Sequence, residues 1–429
     1  MRQQDNLAEL PPSTRMILSD PSAFSSVSAT TGASMRSKLH GLETLRAYAI
    51  LSVLLFHYQY FFAHPGWLET GFFKFGWSGV DLFFVLSGYL ITSQLLAEMD
   101  AHKAVSLERF YIKRAFRILP PFGFVLALYV LLPWTRERES LPPLWKLLTF
   151  TQNLDLDVAN HRTFSHAWSL CIEEQFYLLL PLALSVTAFA KVRDRTAWTI
   201  GTLMAIGVLV RFLSFHLLVK DQPGWMAWIY YPTQTRLDGL LVGVFIAWLF
   251  HFKSSAREWL TARHVQTLLA GIGLVAISYF FVLQNTPDRT TRVYVGVRAL
   301  YPSLFLFPMV SIGFGLVVVS AISPKSLLYN LRSRSLGWVA TLSYSLYLSH
   351  KIVFHVAQDW SGGPVVAADG PAMMLLCLAS AFGFALLMHL AIERPAFRIR
   401  DWLLAKRSLG SSAPPCRTDD TPLPQPGKR

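Results

Sequence analysis

The apolar stretch at residues 45–64 contains two ionisable side chains, Arg46 at its start and His57 eleven residues later. At 1.5 Å of rise per residue, a helix would place His57 about 16 Å beyond Arg46, near the middle of a bilayer. Imidazole is the side chain best suited to moving a proton near neutral pH. This stretch alone therefore supports two interpretations of His57 equally: a general base, or a packing histidine with one ring nitrogen on a backbone carbonyl.

A pair of arginines stands at the start of the third apolar stretch, in FYIKRAFRILPPF. Arg114 and Arg117 are three residues apart and share one helical face. Guanidinium groups at such a position can bind phosphates with two parallel hydrogen bonds. The alternative is an ordinary positive anchor at the cytoplasmic membrane surface. Pro120 and Pro121 follow at once and are expected to distort the start of this helix.

Two adjacent acids interrupt the fourth apolar stretch, FSHAWSLCIEEQFYLLLPL. Glu173 and Glu174 would point about 100° apart on a helix, so we expect one to face the protein interior and the other a polar cavity or loop. A charged group within a membrane costs roughly 2.5–3.5 kcal/mol on insertion scales, so a purely structural role for both acids is disfavoured. His166 lies at the outer entrance of this stretch.

Other ionisable residues are candidates for acceptor-side or structural roles. Asp81 opens the second stretch, GVDLFFVLSGYLIT, in which Ser87 and Gly88 favour close helix packing. Arg236 and Asp238 open the sixth, TRLDGLLVGVF, where a local ion pair is the alternative interpretation.

The last two apolar stretches also contain charged or titratable side chains. His350 lies with Lys351 and His355 in LSYSLYLSHKIVFH, and His350 is a further acceptor-side or structural candidate. The tenth stretch ends in AIERPAFRIRDW, where Pro395 is expected to end or kink the helix.

The elements that must position these residues are membrane helices. Of the 429 residues, 53% are hydrophobic and 15% are charged, against roughly 25% charged in a soluble domain. This composition excludes soluble globular and disordered chains and predicts an all-α, polytopic membrane bundle of about ten transmembrane helices. The ten apolar stretches lie at residues 45–64, 78–98, 118–134, 166–190, 198–219, 236–252, 265–283, 300–322, 338–358 and 371–392. Short or discontinuous elements are expected near residues 141–165.

Basic residues indicate the orientation of this bundle. With a cytoplasmic N-terminus, the inside segments carry 26 Lys and Arg and the outside loops carry 9. The positive-inside rule therefore predicts that both termini are cytoplasmic. It also accounts for the net charge of +13 without nucleic acid as a partner. The polar segments at residues 1–38 and 406–429 are predicted to be disordered cytoplasmic tails.

Several kinds of site are not indicated. The three cysteines, Cys171, Cys377 and Cys416, lie far apart and form no CxxC pair, so neither a metal site nor a disulfide framework is expected. The sequence has no GxxxxGK[ST] motif, which argues against an ATP-driven pump of the P-loop type.

Seven segments, read in order, resemble the acyltransferase 3 family of integral-membrane acyltransferases. They are LETLRAYAILSVLLFH, GVDLFFVLSGYLIT, FYIKRAFRILPPF, HAWSLCIEEQFYLLLPL, RLDGLLVG, LSYSLYLSH and IERPAFR. The resemblance implies that residues 39–405 form one membrane acyltransferase domain. Many members also carry an SGNH esterase-like domain, which this sequence does not show, so we expect the stand-alone form.

The resemblance also implies roles for individual residues. Arg46 and His57 match the family's Arg-x10-His pair, in which the histidine is catalytic. Arg114 and Arg117 match its RxxR motif, and with Arg46 they are expected to bind the acyl donor. Glu174 matches the acid that precedes x-FY in the family's WSL…E-x-FY pattern and is expected to act with His57.

The activity that follows is transfer of an acyl group, first of all acetyl, from cytoplasmic acyl-CoA to a hydroxyl of a carbohydrate or glycolipid. Acyl-CoA would be a co-substrate, with no permanently bound cofactor and no metal. Acceptors that stay open include surface polysaccharide, lipopolysaccharide and a lipo-oligosaccharide. We expect the protein in the bacterial inner membrane.

Two mechanisms and one other class of function fit these residues. His57 could take the proton of the acceptor hydroxyl, or could itself be acylated and pass the acyl group on. Glu174 could orient the imidazole or balance its charge. The other class is a membrane transporter of a glycan or small polar solute, because ionisable groups at mid-depth also mark transport paths.

Overall fold

A computed structural model describes residues 40–62, 74–102, 104–157, 163–187, 189–285, 297–360 and 370–410. The chain divides into a unit Met1–His40, nearly all of it outside these residues, and a compact unit Gly41–Arg429. The two predicted disordered tails therefore lie outside the described residues, apart from residues 406–410, which are helical and belong to the last helix. The domain boundaries at residues 39 and 405 stay predictions.

Long helices account for most of the described chain, and the described residues contain no β-strand. Ten of them follow the ten predicted apolar stretches in order. They are α1 (His40–Phe61), α2 (Gly79–His102), α3 (Leu107–Leu131), α4 (Trp168–Ser185), α5 (Phe189–Leu217), α6 (Asp238–Phe252), α7 (His264–Asn285), α8 (Val297–Ala321), α9 (Arg334–Trp360) and α10 (Pro371–Met388). A further helix, α11, spans Arg394–Gly410.

Short elements connect these helices, both near residues 141–165, where the sequence predicted them, and at other places. Between α3 and α4 lie a 3-10 turn, a one-turn helix and two more 3-10 turns: Pro133–Thr135, Leu144–Leu148, Gln152–Asp155 and Ser165–Ala167. Between α5 and α6 the chain forms Gln222–Trp225, a π-helical turn at Met226–Tyr230 and Thr233–Thr235. The remaining short elements are Gly76–Ser78, Ser254–Ala262, Leu327–Asn330 and a π-helical turn at His389–Glu393.

The membrane-spanning helices confirm the fold class but not the number of spans. Among the described residues, six helical segments are long and apolar enough to cross a membrane, or seven if Asp238–Phe252 and Ser254–Ala262, bent by 110°, form one span. The six are Gly76–His102, Leu107–Leu131, Lys191–Leu217, His264–Leu283, Ala299–Ala321 and Pro371–Arg407. Helices α1, α4 and α9 fall outside this set, and each contains charged side chains that lower its mean hydropathy. A count of about ten spans stays a prediction.

Prolines interrupt the helices less than the sequence suggested. Pro120 and Pro121 lie inside α3, which is continuous from Leu107 to Leu131. Before Pro395 the α-helical geometry of α10 ends at Met388 and changes to a π-helical turn, and the chain then continues as α11 to Gly410.

Small residues allow the helices around the site to pack closely. A Cβ atom at Gly88 in α2 would collide with the backbone oxygen of Leu240 in α6, and one at Gly243 would meet the backbone of Val85 and Tyr89. A Cβ at Gly79 would collide with the backbone oxygen of Ala49, so α1 also lies against α2. These contacts show that α1, α2 and α6 pack closely against one another.

Candidate active site

A cavity lies between α1, α2, α3, α4 and α9, and it contains most of the charged residues predicted for the site. It brings together Arg46 from α1, Arg114 and Arg117 from α3, and Glu173 and Glu174 from α4. The rest of its lining is Val80, Phe83, Phe84, Ser87, Ile118, Ser169, Leu170, Tyr177, Ser343, Tyr344 and Tyr347. We refer to this space as the arginine cavity.

The two arginines of α3 are held by aromatic rings rather than by acids. The Arg114 guanidinium lies 4.6 Å from the centre of the Tyr177 ring, and that of Arg117 lies 5.7 Å from the Phe397 ring. Both side chains are half-buried, and in the described part of the chain neither forms an ion pair with a carboxylate. Their charge is thus available to a ligand that enters the cavity.

The third arginine of the cavity, Arg46, is also half-buried. Its Nε is shielded from solvent and has no hydrogen-bond partner among the described residues. A buried donor without a partner is costly, so an acceptor from water or a ligand is expected at this atom.

The paired acids both line the arginine cavity, which differs from the expectation that they would face different surroundings. Glu173 accepts hydrogen bonds from Ser87 Oγ and from the Tyr177 hydroxyl, each at 3.0 Å. Ser87 thus holds Glu173 rather than only packing against a helix. Glu174 Oε1 is buried and has no hydrogen-bond partner among the described residues. Adjacent residues point about 100° apart around the helix axis, and the cavity is wide enough for both side chains to line it.

Glu174 does not form the expected contact with the catalytic candidate. No hydrogen bond joins it to His57 in the described structure, and it lies with the arginines instead. The partner of His57 is His350, whose Nε2 is 3.0 Å from His57 Nδ1. In the described structure the side chain that contacts the His57 ring nitrogen is therefore an imidazole rather than a carboxylate.

A third histidine completes a cluster with these two. The ring centre of His166 lies 5.0 Å from that of His350 and 6.3 Å from that of His57, and the His57 and His350 centres are 4.9 Å apart. His166 and His350 are buried, whereas His57 is half-buried. We call these three residues the histidine cluster. Among the described residues no group of three or more His, Cys, Asp or Glu has an arrangement that could hold a metal ion.

Tyr347 lies between the histidine cluster and the arginine cavity. It lines the cavity, and its ring centre is 5.5 Å from that of His166 and 6.1 Å from that of His350. Its hydroxyl donates to the His166 carbonyl oxygen at 2.6 Å and contacts Ser169 Oγ at 2.6 Å. His57 itself does not line the cavity, so the Tyr347–Ser169 pair forms the wall between the two parts of the site.

Sequence reasoning left His166, Ser169 and Tyr347 out of the candidate site. His166 and Ser169 lie in HAWSL, and Tyr347 lies three residues before His350 on the same helix. The sequence pattern could have indicated Tyr347, because residues three or four apart share a helical face. The segment before α4 adds a strained backbone, since buried Phe164 has a φ of 58°, in the left-handed region.

The remaining candidates form two buried ion pairs away from the arginine cavity. Arg236 does not pair with Asp238 as the local interpretation supposed. It donates to Asp81 Oδ1 at 2.9 Å, while Asp238 accepts two hydrogen bonds from Arg211, at 2.6 and 3.1 Å. Arg236 and Asp238 are two residues apart, so their side chains leave the helix start in different directions.

Aromatic rings surround the first of these pairs. The Arg236 guanidinium lies 3.7 Å from the centre of the Phe307 ring, 4.9 Å from Tyr230 and 5.4 Å from Trp168. Arg236 Nε and Nη1 and Asp81 Oδ2 have no hydrogen-bond partner among the described residues. The pair joins α2 to the start of α6 through a site from which water is almost fully excluded.

Comparisons with known proteins agree with this architecture. The sequence model of a family described as "Acyltransferase domain", acyltransferase 3, matches residues 39–390. A Staphylococcus aureus (strain COL) protein with the printed name "Putative O-acetyltransferase SACOL0978" is 30% identical over 334 residues, 75% of this chain and 51% of that protein. The O-acetyltransferase OatA of S. aureus (strain NCTC 8325 / PS 47) is 29% identical over 334 residues, 73% of this chain and 50% of OatA.

The matches cover most of this chain but only part of the relatives. The chain spans about half the length of the curated relatives it matches. No solved structure matches it significantly. The family match covers most of the chain and includes the helices that carry the arginine cavity and the histidine cluster. The chain is a multi-pass membrane protein that belongs to the acyltransferase 3 family.

Proposed function

We propose that this protein is a membrane O-acetyltransferase that moves an acetyl group from acetyl-CoA to a hydroxyl of a carbohydrate. Acceptors of the expected kind are a surface polysaccharide, a lipopolysaccharide or a lipo-oligosaccharide. The observation that carries the proposal is the arginine cavity, separated by one tyrosine from a hydrogen-bonded histidine pair, in a chain of an acyltransferase family. The printed names of the relatives, O-acetyltransferases, support the choice of acetyl and of an oxygen acceptor.

The arginine cavity is the proposed donor site. Coenzyme A carries several phosphate charges, and guanidinium groups bind phosphates with directed, charge-assisted hydrogen bonds. Arg114 and Arg117 are free of carboxylate partners in the described structure, and Arg46 Nε lacks any partner. Glu173 and Glu174 limit the positive charge of the cavity when the donor is absent.

His57 is the proposed catalytic base. Its Nδ1 is engaged by His350, which leaves Nε2 to face the acceptor. Nε2 takes the proton of the acceptor hydroxyl while the hydroxyl oxygen attacks the carbonyl carbon of the thioester. The tetrahedral intermediate then collapses with breakage of the C–S bond. The proton passes from His57 to the sulfur, so the products are an O-acetyl ester and free CoA.

A transiently acetylated His57 is the second mechanism that fits the same residues. In that case Nε2 attacks the carbonyl carbon of the thioester, the C–S bond breaks and CoA leaves as a thiolate. The acceptor hydroxyl then attacks the acetyl carbon, the C–N bond breaks, and the hydroxyl proton passes to the thiolate. Rapid quenching without acceptor distinguishes the two, because only the second predicts a peptide containing His57 with one added acetyl group by mass spectrometry.

The orientation in the membrane is part of the proposal. Acetyl-CoA is cytoplasmic, so the end of the bundle with Arg114 and Arg117 should face the cytoplasm. The bias of 26 basic residues inside against 9 outside supports this orientation in the bacterial inner membrane, with both termini cytoplasmic.

The test uses purified full-length protein in lipid nanodiscs. Acetyl-CoA labelled in the acetyl group is supplied with candidate glycans, and both CoA release and ester formation are measured. We expect both products from the native protein, and a fall of about 10²- to 10⁴-fold for His57→Ala, the usual contribution of a positioned base. His216→Ala is the matched control, because His216 is an exposed histidine at the end of α5.

Three outcomes would overturn the proposal. Normal ester formation by a well-folded His57→Ala protein would place the base elsewhere. Acylation of the hydroxyl without consumption of acyl-CoA would exclude acetyl-CoA as the donor. Movement of a glycan across proteoliposomes without CoA release would favour the transporter.

A further inference from the structure

The hydrogen bond between His57 and His350 has a direction that the surrounding atoms fix. His57 Nδ1 and His350 Nε2 are 3.0 Å apart. When two neutral imidazole nitrogens meet at this distance, one carries the hydrogen and the other supplies the lone pair. Which nitrogen donates decides where each ring is basic.

The second nitrogen of His350 settles the direction. His350 Nδ1 lies 3.0 Å from the Leu346 carbonyl oxygen and 2.9 Å from the Tyr347 carbonyl oxygen. Carbonyl oxygens only accept, so Nδ1 carries a hydrogen and donates it. His350 is fully buried, and no carboxylate contacts it among the described residues, so its neutral form is favoured. Its Nε2 therefore holds a lone pair.

The same argument fixes the position of the hydrogen on His57. Because His350 Nε2 is an acceptor, His57 Nδ1 must be the donor of the bond between them. A neutral His57 with its hydrogen on Nδ1 has an unprotonated Nε2. This is the atom that the proposed function requires to be basic.

The groups around the pair oppose a second proton. His166 approaches both rings, and Lys351 follows His350 on α9. Lys351 Nζ donates to Ser165 Oγ at 3.1 Å and lies 3.8 Å from Glu137 Oε1, which places a positive charge beside the cluster. His166 Nε2 faces the Leu348 carbonyl oxygen at 3.2 Å, so His166 offers no hydrogen from its other nitrogen while it is neutral.

We propose that His350 is a positioning residue that holds His57 in the tautomer with an unprotonated Nε2. The Leu346 and Tyr347 carbonyls fix His350, and His350 fixes His57. This inference rests on the proposed function only for its catalytic meaning, because the tautomer itself can be observed without any reaction. The role of orienting His57, which the sequence suggested for Glu174, is thus assigned to the imidazole of His350.

The first test observes the tautomer directly. The full-length protein is labelled with ¹⁵N-histidine, reconstituted in nanodiscs without substrates and examined by NMR, and the His57 signals are identified by their loss in His57→Gln. We expect a protonated Nδ1 and an unprotonated Nε2. In His350→Leu, the His57 ring should shift towards the Nε2-protonated tautomer. His355→Leu, a substitution five residues along α9, should leave the His57 signals unchanged.

The second test measures catalysis with the same variants. His350→Leu should lower kcat for acetyl transfer by about 10²-fold, with KM for acetyl-CoA changed less than about twofold, because the donor arginines are untouched. In His350→Gln the amide oxygen reaches about as far as Nε2 and accepts a hydrogen bond, so kcat should recover to within about tenfold of the native value.

The outcomes separate this inference from the proposed function. A protonated Nε2 on His57 in the native protein, or an unchanged tautomer in a folded His350→Leu protein, would overturn the positioning role even if acetyl transfer occurs. The expected tautomers with no acetyl transfer by the native protein would overturn the proposed function and leave the positioning role intact. Equal activity of the Leu and Gln variants would show that the acceptor atom at this position is irrelevant, which contradicts the inference.

Discussion

At the scale of single residues, the buried charges of this protein fall into two kinds. Asp81 and Arg236 are paired with each other and surrounded by aromatic rings, whereas Arg46, Arg114 and Arg117 line a cavity and form no ion pair among the described residues. Breaking a buried pair by removing one partner leaves an uncompensated charge in a medium that solvates it poorly. Charges that line a cavity can instead be hydrated or can meet a ligand. The first kind stabilises the fold, and the second kind is available for binding.

The Asp81–Arg236 pair gives a prediction about stability. Asp81→Asn should lower the free energy of unfolding by about 3–5 kcal/mol, because Arg236 then keeps its charge without a counter-ion. The measurement is thermal unfolding of the purified protein in detergent. Asp194→Asn is the control, since Asp194 pairs with Arg193 at the surface and should show no measurable change. Equal unfolding temperatures for the Asp81→Asn and native proteins would show that the pair is not needed for the fold.

At the scale of elements, α3 delivers two arginines to one cavity because they lie three residues apart on one helical face. An exposed arginine of the same helix, Arg109, lies outside this cavity. Substitution of Arg109, Arg114 and Arg117 one at a time therefore distinguishes a general effect of basic residues at this end of the helix from a specific donor site. Only a donor site depends on which arginine is lost.

The donor site prediction follows from this difference. Arg114→Ala and Arg117→Ala should each raise KM for acetyl-CoA by about 10- to 100-fold, the value of a charge-assisted hydrogen bond. Lysine at either position should restore binding only in part, because an ammonium lacks the planar fork of the guanidinium. Arg109→Ala should leave KM unchanged. If all three alanine variants behave alike in the CoA release assay, the arginines are anchors rather than ligands.

Helices α2 and α6 pack so closely at Gly243 that a larger residue there should affect stability. Gly243→Ala should destabilise the protein by about 1–3 kcal/mol, because a methyl group would collide with the backbone of Val85 and Tyr89. Gly273→Ala in α7 is the matched control, since no atom lies within 4 Å of its Cβ position. Thermal unfolding of both variants in detergent measures the difference. A Gly243→Ala protein as stable as Gly273→Ala would mean that the two helices can separate without loss.

At the scale of the whole molecule, charge distribution determines how the bundle lies in the membrane. Six helical segments among the described residues can cross by length and composition, seven with the bent pair, whereas the sequence predicts about ten spans. Polar site residues lower the hydropathy of α1, α4 and α9, which can cross if neighbouring helices shield those residues from lipid. The number of crossings is therefore a question of topology that reporters can answer.

The topology prediction concerns two positions. Cytoplasmic reporters fused near residue 257 and after residue 410 should both be active, because basic residues concentrate on that side. Periplasmic reporters at the same positions should be inactive. An active periplasmic reporter after residue 410 would change the number of spans by one and place the C-terminus outside.

The sequence by itself determined the class of fold, the order of the helices and most of the charged residues of the site. Hydropathy and helical spacing are local properties, so they located the ten stretches, the arginine pair and the two acids without any knowledge of packing. The seven segments, read in order, also identified the acyltransferase family. These features depend on neighbours within a few turns of the same helix.

Only the tertiary structure decided which of these residues meet. His57 and His350 are 293 residues apart, and Asp81 and Arg236 are 155 apart, so no local pattern pairs them. His57 contacts His350 rather than the expected Glu174, and Arg236 pairs with Asp81 rather than with Asp238, its partner in the alternative interpretation. Side chains that are close in sequence can point in different directions, whereas helix packing brings distant side chains together. The Leu346 and Tyr347 carbonyls contact His350 within its own helix, and only the folded chain brings His350 beside His57.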